Sequence, residues 1–169
     1  MKDLVSDILP PPAYIIESYL TVLQQVDETE VALADGTISA EEKTALEVLI
    51  EYGRQLEVGD SSKGEMAGYK ERIAAWTSEL GTDSPEAIQI KDLMIKHSCA
   101  PALKFYEIRN GKFLPAISKG AIAEAKKIVR QELRPLYDEH RKFIDQLVTA
   151  SNAMYDRVQA KVDAMLAGK

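Results

Sequence analysis

The side chains in this sequence best suited to binding a small molecule are aromatic and cationic residues on or near its apolar stripes. They recur at helical spacing, so helices that pack together would bring them close. The set consists of Tyr69, Arg72, Trp76, Tyr106, Arg109, Tyr137, His140 and Arg141. Because a guanidinium matches a carboxylate, the set suggests a pocket with aromatic walls and cationic ends. In the alternative interpretation, the aromatic rings fill the core and the arginines pair with glutamates at the surface.

Metal, cofactor and catalytic chemistry find little support in the sequence. Neither histidine, His97 or His140, has a glutamate three residues before it, as a di-iron bundle requires. Cys99 is the single cysteine, which excludes a disulfide within the chain and a cysteine-based zinc site. No nucleophile motif, phosphate-binding glycine loop or dinucleotide fingerprint is present. We therefore predict no enzymatic activity, no metal and no cofactor.

Composition favours one helical domain and excludes nucleic acid as a partner. The 169 residues, of which 46% are hydrophobic, can bury one core, so we expect a single domain spanning residues 1–169. The net charge is −6, and the one basic cluster, Lys126, Lys127 and Arg130, is too small to follow a phosphate backbone. No uncharged span is long enough to cross a membrane.

Apolar residues at three- and four-residue spacings predict helices. The ranges are 14–33, 39–80 with an interruption near residue 60, 84–109, and 121–166. Ser39 with Glu42 forms a capping box, and Ser84 with Pro85 marks a third start. Asn110 and Gly111 are expected to end the third helix, with a short bridge leading to Gly120. Strand signals are absent, so we predict an all-α antiparallel four-helix bundle with an interrupted second helix and a long C-terminal helix.

The last predicted helix is unusually long. From Ala121 to Leu166 it would measure roughly 70 Å, and Pro135 is expected to bend it without ending it. Because its apolar stripe persists to the end, we expect this chain to be a piece of a longer protein in which the helix continues.

Two parts of the sequence carry a resemblance to a known family. The first is the entry DILPPPAYIIESYL at residues 7–20, and the second is a later run that contains FYEI at 105–108, FLPA at 113–116 and LRPLYDEHR at 133–141. These stretches resemble the extracytoplasmic helical sensor domains of bacterial methyl-accepting chemotaxis proteins and related sensor histidine kinases. The resemblance extends over most of the chain and is loosest in the middle.

The resemblance implies a function and a location. Such domains lie on the periplasmic side of the inner membrane, between two membrane helices that would flank this sequence. They bind a small solute, such as an organic acid or an amino acid, form homodimers, and transmit a displacement of the last helix across the membrane. The alternative hypothesis is a stand-alone helical bundle of the cytoplasm that acts as a scaffold or chaperone-like interaction protein.

Overall fold

The computed structural model describes residues 15–34, 40, 41, 44, 65–82 and 84–168. All regular structure within these ranges is helical, and none of it is strand. The predicted all-α helical fold is therefore confirmed. Of the predicted second helix, the structure describes only Ala40, Glu41 and Thr44 upstream of residue 65, and these three are helical. The capping box at Ser39 and the predicted interruption near residue 60 lie outside the described residues.

Helix α1 comprises Ile16–Ala34 and buries an unusually polar face. Its buried positions are spaced three or four residues apart and are Ser18, Val22, Gln25, Thr29 and Ala32. Buried hydroxyls require hydrogen-bond partners, and Thr29 Oγ1 donates to the Gln25 carbonyl at 2.6 Å. Helix α2, Glu65–Glu79, instead buries Tyr69 and Ile73, and Leu80 directly after it is also buried.

The third helical segment runs from residue 85 to 118. It consists of α3 (Pro85–Asp92), a π-helical turn π1 (Leu93–Ser98), α4 (Cys99–Ile108), a second π-helical turn π2 (Arg109–Phe113), and α5 (Leu114–Ser118). The predicted start is correct, because Ser84 is extended and its Oγ accepts a hydrogen bond from the Ala87 N–H at 3.2 Å.

The predicted end of this segment at Asn110 and Gly111 is wrong. Both residues lie inside π2, and the helix continues to Ser118. The physical reason is packing, because Phe113, Ala116 and Ile117 beyond the expected break are all buried in the core. Their burial outweighs the poor helix propensity of asparagine and glycine.

The last helical segment follows a tight turn at Gly120, whose φ of 69° is in the left-handed region that glycine adopts without strain. It comprises α6 (Ile122–Ile128), a third π-helical turn π3 (Val129–Leu133), and α7 (Arg134–Ala167). The helical backbone is thus continuous from residue 122 to 167, and the prediction of a long C-terminal helix is confirmed.

A proline follows each of the three π-helical turns within three residues: Pro101, Pro115 and Pro135. Each π turn closes with a bond to the carbonyl five residues earlier, as the Arg134 N–H bonds to the Val129 carbonyl. A proline inside a helix lacks an N–H and its ring clashes with the carbonyl four residues back. The wider turn just before each proline accommodates both effects, so the helices continue.

The two long segments form an antiparallel helical hairpin with α1 against it. Across the hairpin, Glu86 pairs with Arg157 near one end and Lys112 with Glu132 near the other. Helix α1 runs antiparallel to the last segment, because Ile15 meets His140 while Glu30 pairs with Lys126. The core between them contains Val22, Ile90, Met94, Phe105, Phe113, Leu133 and Leu147, among others.

Beyond Arg157, the last ten residues of α7 are exposed. Four large apolar side chains in this stretch, here called the α7 overhang (residues 158–167), face solvent: Val158 at 47%, Val162 at 43%, Met165 at 72% and Leu166 at 64% exposure. Within the described ranges, no helix is both long and apolar enough to cross a bilayer.

Candidate functional site

Four of the eight candidate residues come together in the interior as a buried polar cluster. The Tyr69 ring lies 6.1 Å from the Tyr106 ring and 6.3 Å from the His140 ring, centroid to centroid. The Arg109 guanidinium carbon lies 5.0 Å from the centre of the Tyr106 ring, within cation–π range. All four residues are buried, and Arg109 is only 3% exposed. The structure thus places these four candidates together in the interior.

His140 is fully buried and joins three elements. Its Nδ1 lies 2.7 Å from the Ser98 carbonyl oxygen in π1, and its Nε2 accepts a hydrogen bond from the Ile15 N–H at 3.4 Å. Because a carbonyl oxygen can only accept, Nδ1 carries the proton and the ring is neutral. Burial lowers the pKa of His140 to about 4, although the Ser98 carbonyl acts in the opposite direction. His140 is therefore a structural link between π1, α7 and the start of α1.

The hydroxyls of the cluster differ in how they are satisfied. Tyr106 shares a 3.0 Å hydrogen bond with the Ser18 hydroxyl of α1. The Tyr69 hydroxyl lies beside Ser98 and Cys99 but forms no hydrogen bond of ordinary geometry. Burial raises the pKa of Tyr69 well above its usual value and also raises the pKa of the Cys99 thiol. Neither group is therefore activated as a nucleophile or base at neutral pH.

The remaining four candidates lie elsewhere. Tyr137 stacks on Tyr19 of α1, with ring centroids 4.2 Å apart. The Tyr19 ring also contacts the Phe105 ring edge to face, and Phe105 in turn contacts Tyr106 of the buried cluster. Arg72 and Arg141 are exposed, and Trp76 is half-buried. The eight candidates thus divide between the packed interior and the surface.

A cleft opens between α1 and the last helical segment, here called the α1 cleft. It has a volume of about 320 Å³ and is lined by Tyr19, Leu23, Val26, Asp27, Glu30, Lys126, Val129, Arg130 and Arg134. Lys126 pairs with Glu30, whereas Arg130 and Arg134 form no salt bridge within the described part of the chain. An aromatic ring and apolar side chains therefore meet two arginines. None of the eight candidate residues lines this cleft.

Sequence reasoning missed the α1 cleft although its signals were present. Arg130 and Arg134 are four residues apart, which places them on one face of a helix. Tyr19 and Arg134 both lie within the stretches that carry the family resemblance. Burial of the Tyr19 ring raises its pKa, Arg134 acts to lower it, and Asp138 acts to raise it. This effect of Arg134 reflects its closeness to the Tyr19 hydroxyl.

A second cleft lies at the turn of the hairpin, here called the hairpin-end cleft. Its volume is about 510 Å³, and it is lined by Gly111, Lys112, Pro115, Ala116, Lys119, Glu124, Lys127, Ile128, Gln131 and Glu132. Residues of both π2 and π3 contribute to its walls. It contains none of the eight candidates either.

The described residues contain no group of three or more histidine, cysteine or acidic side chains that could hold a metal ion. Comparison of the chain with protein-family models, with curated proteins and with solved structures found no match.

Proposed function

We propose that this chain is the sensory input domain of a bacterial membrane receptor, and that it binds a small organic acid in the α1 cleft. The observation that carries the proposal is the position of Arg130 and Arg134. Both arginines lie on the long last segment, free of salt bridges within the described residues, and face a cleft whose other wall is α1. A ligand bound there would contact the two elements together.

The lining of the α1 cleft favours an acid with an apolar body. Arginine side chains bind carboxylates with paired hydrogen bonds. Tyr19, Leu23, Val26 and Val129 offer an aromatic and aliphatic surface for the rest of the molecule. The pair between Lys126 and Glu30 satisfies both of those charges. Asp27, the one other carboxylate of the lining, forms no salt bridge within the described residues. The two arginines therefore bind the carboxylate, and Asp27 favours a ligand that carries a single carboxylate and an apolar body over one with a second anionic group.

The location of π3 supports transmission along α7. Val129 and Arg130 belong to both π3 and the cleft wall, and α7 begins with Arg134 at the other edge of the same cleft. A ligand shifts a conformational equilibrium only if it binds the two states differently. A carboxylate that draws Arg130 and Arg134 toward α1 favours one arrangement of π3, and α7 carries the resulting displacement to its end. Helix shifts of about 1 to 2 Å are typical of such transitions.

The family resemblance supports a periplasmic location, attachment to the membrane through flanking helices, and a homodimer. The exposed apolar side chains of the α7 overhang supply a face through which two copies can associate. Stand-alone cytoplasmic scaffolding remains the competing hypothesis. It predicts no ligand response, and no apolar spans of about twenty residues encoded on either side of this sequence in its gene.

A thermal-shift screen with organic acids tests the proposal. A bound acid at about 100 times its Kd should raise the melting temperature by about 5 to 10 °C for a domain of this size. Arg134→Gln should remove most of this rise, because it deletes a charge of the cleft and leaves the core intact. Arg141→Gln, an exposed arginine of the same helix outside the cleft, is the matched control.

Two results would count against the proposal. A complete absence of any shift across a broad set of acids argues against direct solute binding and favours the scaffold hypothesis. A shift that disappears in Arg141→Gln and persists in Arg134→Gln transfers the site to the residues predicted from sequence.

A further inference from the structure

The hairpin-end cleft is formed by residues of both long helical segments. Its floor is made by the buried side chains of Ala116 and Ile128. A Cβ atom added at Gly111 would meet nothing within 4 Å, so the wall beside π2 is open. The π-helical turns π2 and π3 stand on either side, and π turns within long helices are frequent at functional sites.

The charges that line this cleft divide into a fixed pair and three free groups. Lys112 Nζ lies 3.0 Å from both carboxylate oxygens of Glu132 and thereby joins π2 to π3. Lys119, Glu124 and Lys127 are exposed and form no salt bridge within the described residues. The fixed pair is electrically neutral, so the two lysines and the one glutamate determine which ligand the cleft favours.

From these observations we propose that the hairpin-end cleft is a second binding site, which takes a small zwitterion. The carboxylate of the ligand binds between Lys119 and Lys127, and its ammonium group binds Glu124. The neutral amide of Gln131 offers a further donor and acceptor. The site is separate from the α1 cleft and stands whether or not that cleft binds an acid.

The presence of Glu124 decides against a simple anion. A di- or tricarboxylate would place like charge beside this glutamate, which disfavours binding. A zwitterion instead presents a charge of the correct sign to each of the three free groups. Discrimination between molecules with and without an ammonium group is therefore the property that separates this site from a patch of surface lysines.

The matched ligand pair for the test is glutamate and glutarate, which share the carbon chain and both carboxylates and differ by the amino group. Isothermal titration of the whole chain at low salt should show glutamate binding about tenfold more tightly or better. Lys127→Gln should weaken glutamate binding by about tenfold. Glu124→Gln should remove the preference, with weaker glutamate binding and stronger glutarate binding. Lys161→Gln, an exposed lysine at the other end of α7, is the charge-matched control.

The outcomes separate this proposal from the previous one. Arg134→Gln should leave glutamate binding unchanged, and loss of binding in that variant would assign the effect to the α1 cleft. Equal affinity for glutamate and glutarate, or no binding of glutamate, overturns the proposal. Because Glu124 and Lys127 are exposed, both variants should keep the circular dichroism spectrum and cooperative melting of the unmodified chain.

Discussion

Among the residues that the structure describes, His140 forms the side-chain hydrogen bond that spans the longest stretch of sequence. It hydrogen-bonds the Ser98 carbonyl in π1 and the Ile15 N–H at the start of α1, which are 42 and 125 residues away in sequence. The acceptor role of Nε2 requires a neutral ring. Protonation of Nε2 would turn this acceptor into a donor that faces another donor, and α1 would lose its anchor at that point.

We predict that the protein loses stability in mild acid because of His140. The unfolded chain binds a proton near pH 6.5, whereas the folded chain binds it only near pH 4. The stabilisation is therefore complete above pH 6.5 and is lost as the pH falls toward 4, by about 3 kcal/mol in total. Urea unfolding at a series of pH values measures the loss, and an NMR titration of the ring measures its pKa directly.

The control for this prediction is the second histidine. His97 lies at the surface and is partly exposed, so it serves as the control variant His97→Gln. His140→Gln should flatten the dependence on pH between 6.5 and 4, and should do so much more than His97→Gln does. A ring pKa of His140 close to its ordinary value would contradict the prediction even if His140→Gln fails to fold.

At the residue scale, the sequence identified the buried part of the candidate set better than its exposed part. Tyr69, Tyr106 and His140 lie on apolar stripes, and spacing alone places such residues toward the core. Arg72 and Arg141 lie at the borders of the apolar stripes, where residue spacing does not determine whether a side chain is buried or exposed. That depends on which helices pack beside them. The four-residue spacing of Arg130 and Arg134 predicts that they share a helix face, but it does not predict that α1 lies opposite them. The charged residues of the hairpin-end cleft lie off the apolar stripes, so no stripe marks them.

At the scale of single elements, the π-helical turns explain how three prolines sit within long helices. Pro115 and Pro135 are exposed, and each follows its π turn by two residues. The sequence predicted a bend at Pro135, but nothing in it indicated that the helix accommodates a proline by adding a residue to a turn. The break expected at Asn110 and Gly111 was wrong because burial of Phe113 and Ile117 extends the helix past them.

Replacing Pro135 by alanine should stabilise the protein by about 1 kcal/mol. The change restores a backbone N–H and removes the clash with the preceding turn. In an uninterrupted helix this is worth up to about 3 kcal/mol. The gain is smaller here because the wider turn π3 already relieves part of the clash. Urea unfolding provides the measurement. Pro85→Ala is the matched control, because Pro85 occupies the first turn after the Ser84 cap, where a missing N–H costs nothing.

Pro85→Ala should leave the free energy of unfolding nearly unchanged or lower it slightly, since it only frees the unfolded chain. If Pro135→Ala also leaves the free energy of unfolding unchanged or lowers it, as Pro85→Ala should, then the π turns are not explained by the accommodation of prolines.

At the scale of the whole molecule, the α7 overhang projects past the salt bridge between Glu86 and Arg157. Its exposed valines, Val158 and Val162, are four residues apart and lie on one helix face. The proposed homodimer would bury this face. The sequence predicted the length of the helix correctly, but which of its residues are exposed follows only from where the neighbouring segment begins.

If two copies associate through this face, Val162→Glu should weaken the dimer by about tenfold or more, because it buries a charge without a partner. Sedimentation velocity over a range of concentrations measures the change. Ala160→Glu introduces the same charge two residues away, on a different face of the same exposed helix, and should have little effect. A chain that stays monomeric at every concentration, before any substitution, contradicts the homodimer.

The turn at Gly120 has a consequence for the order in which the protein assembles. Contacts between the two long segments begin a few residues on either side of this glycine and can form progressively outward. In contrast, the hydrogen bonds of α1 to Tyr106 and His140 close loops of 88 and 125 residues. Loop closure slows contacts between distant residues. We therefore expect the hairpin to form first and α1 to dock onto it late, so that α1 is the part of this core that detaches most readily from the folded chain.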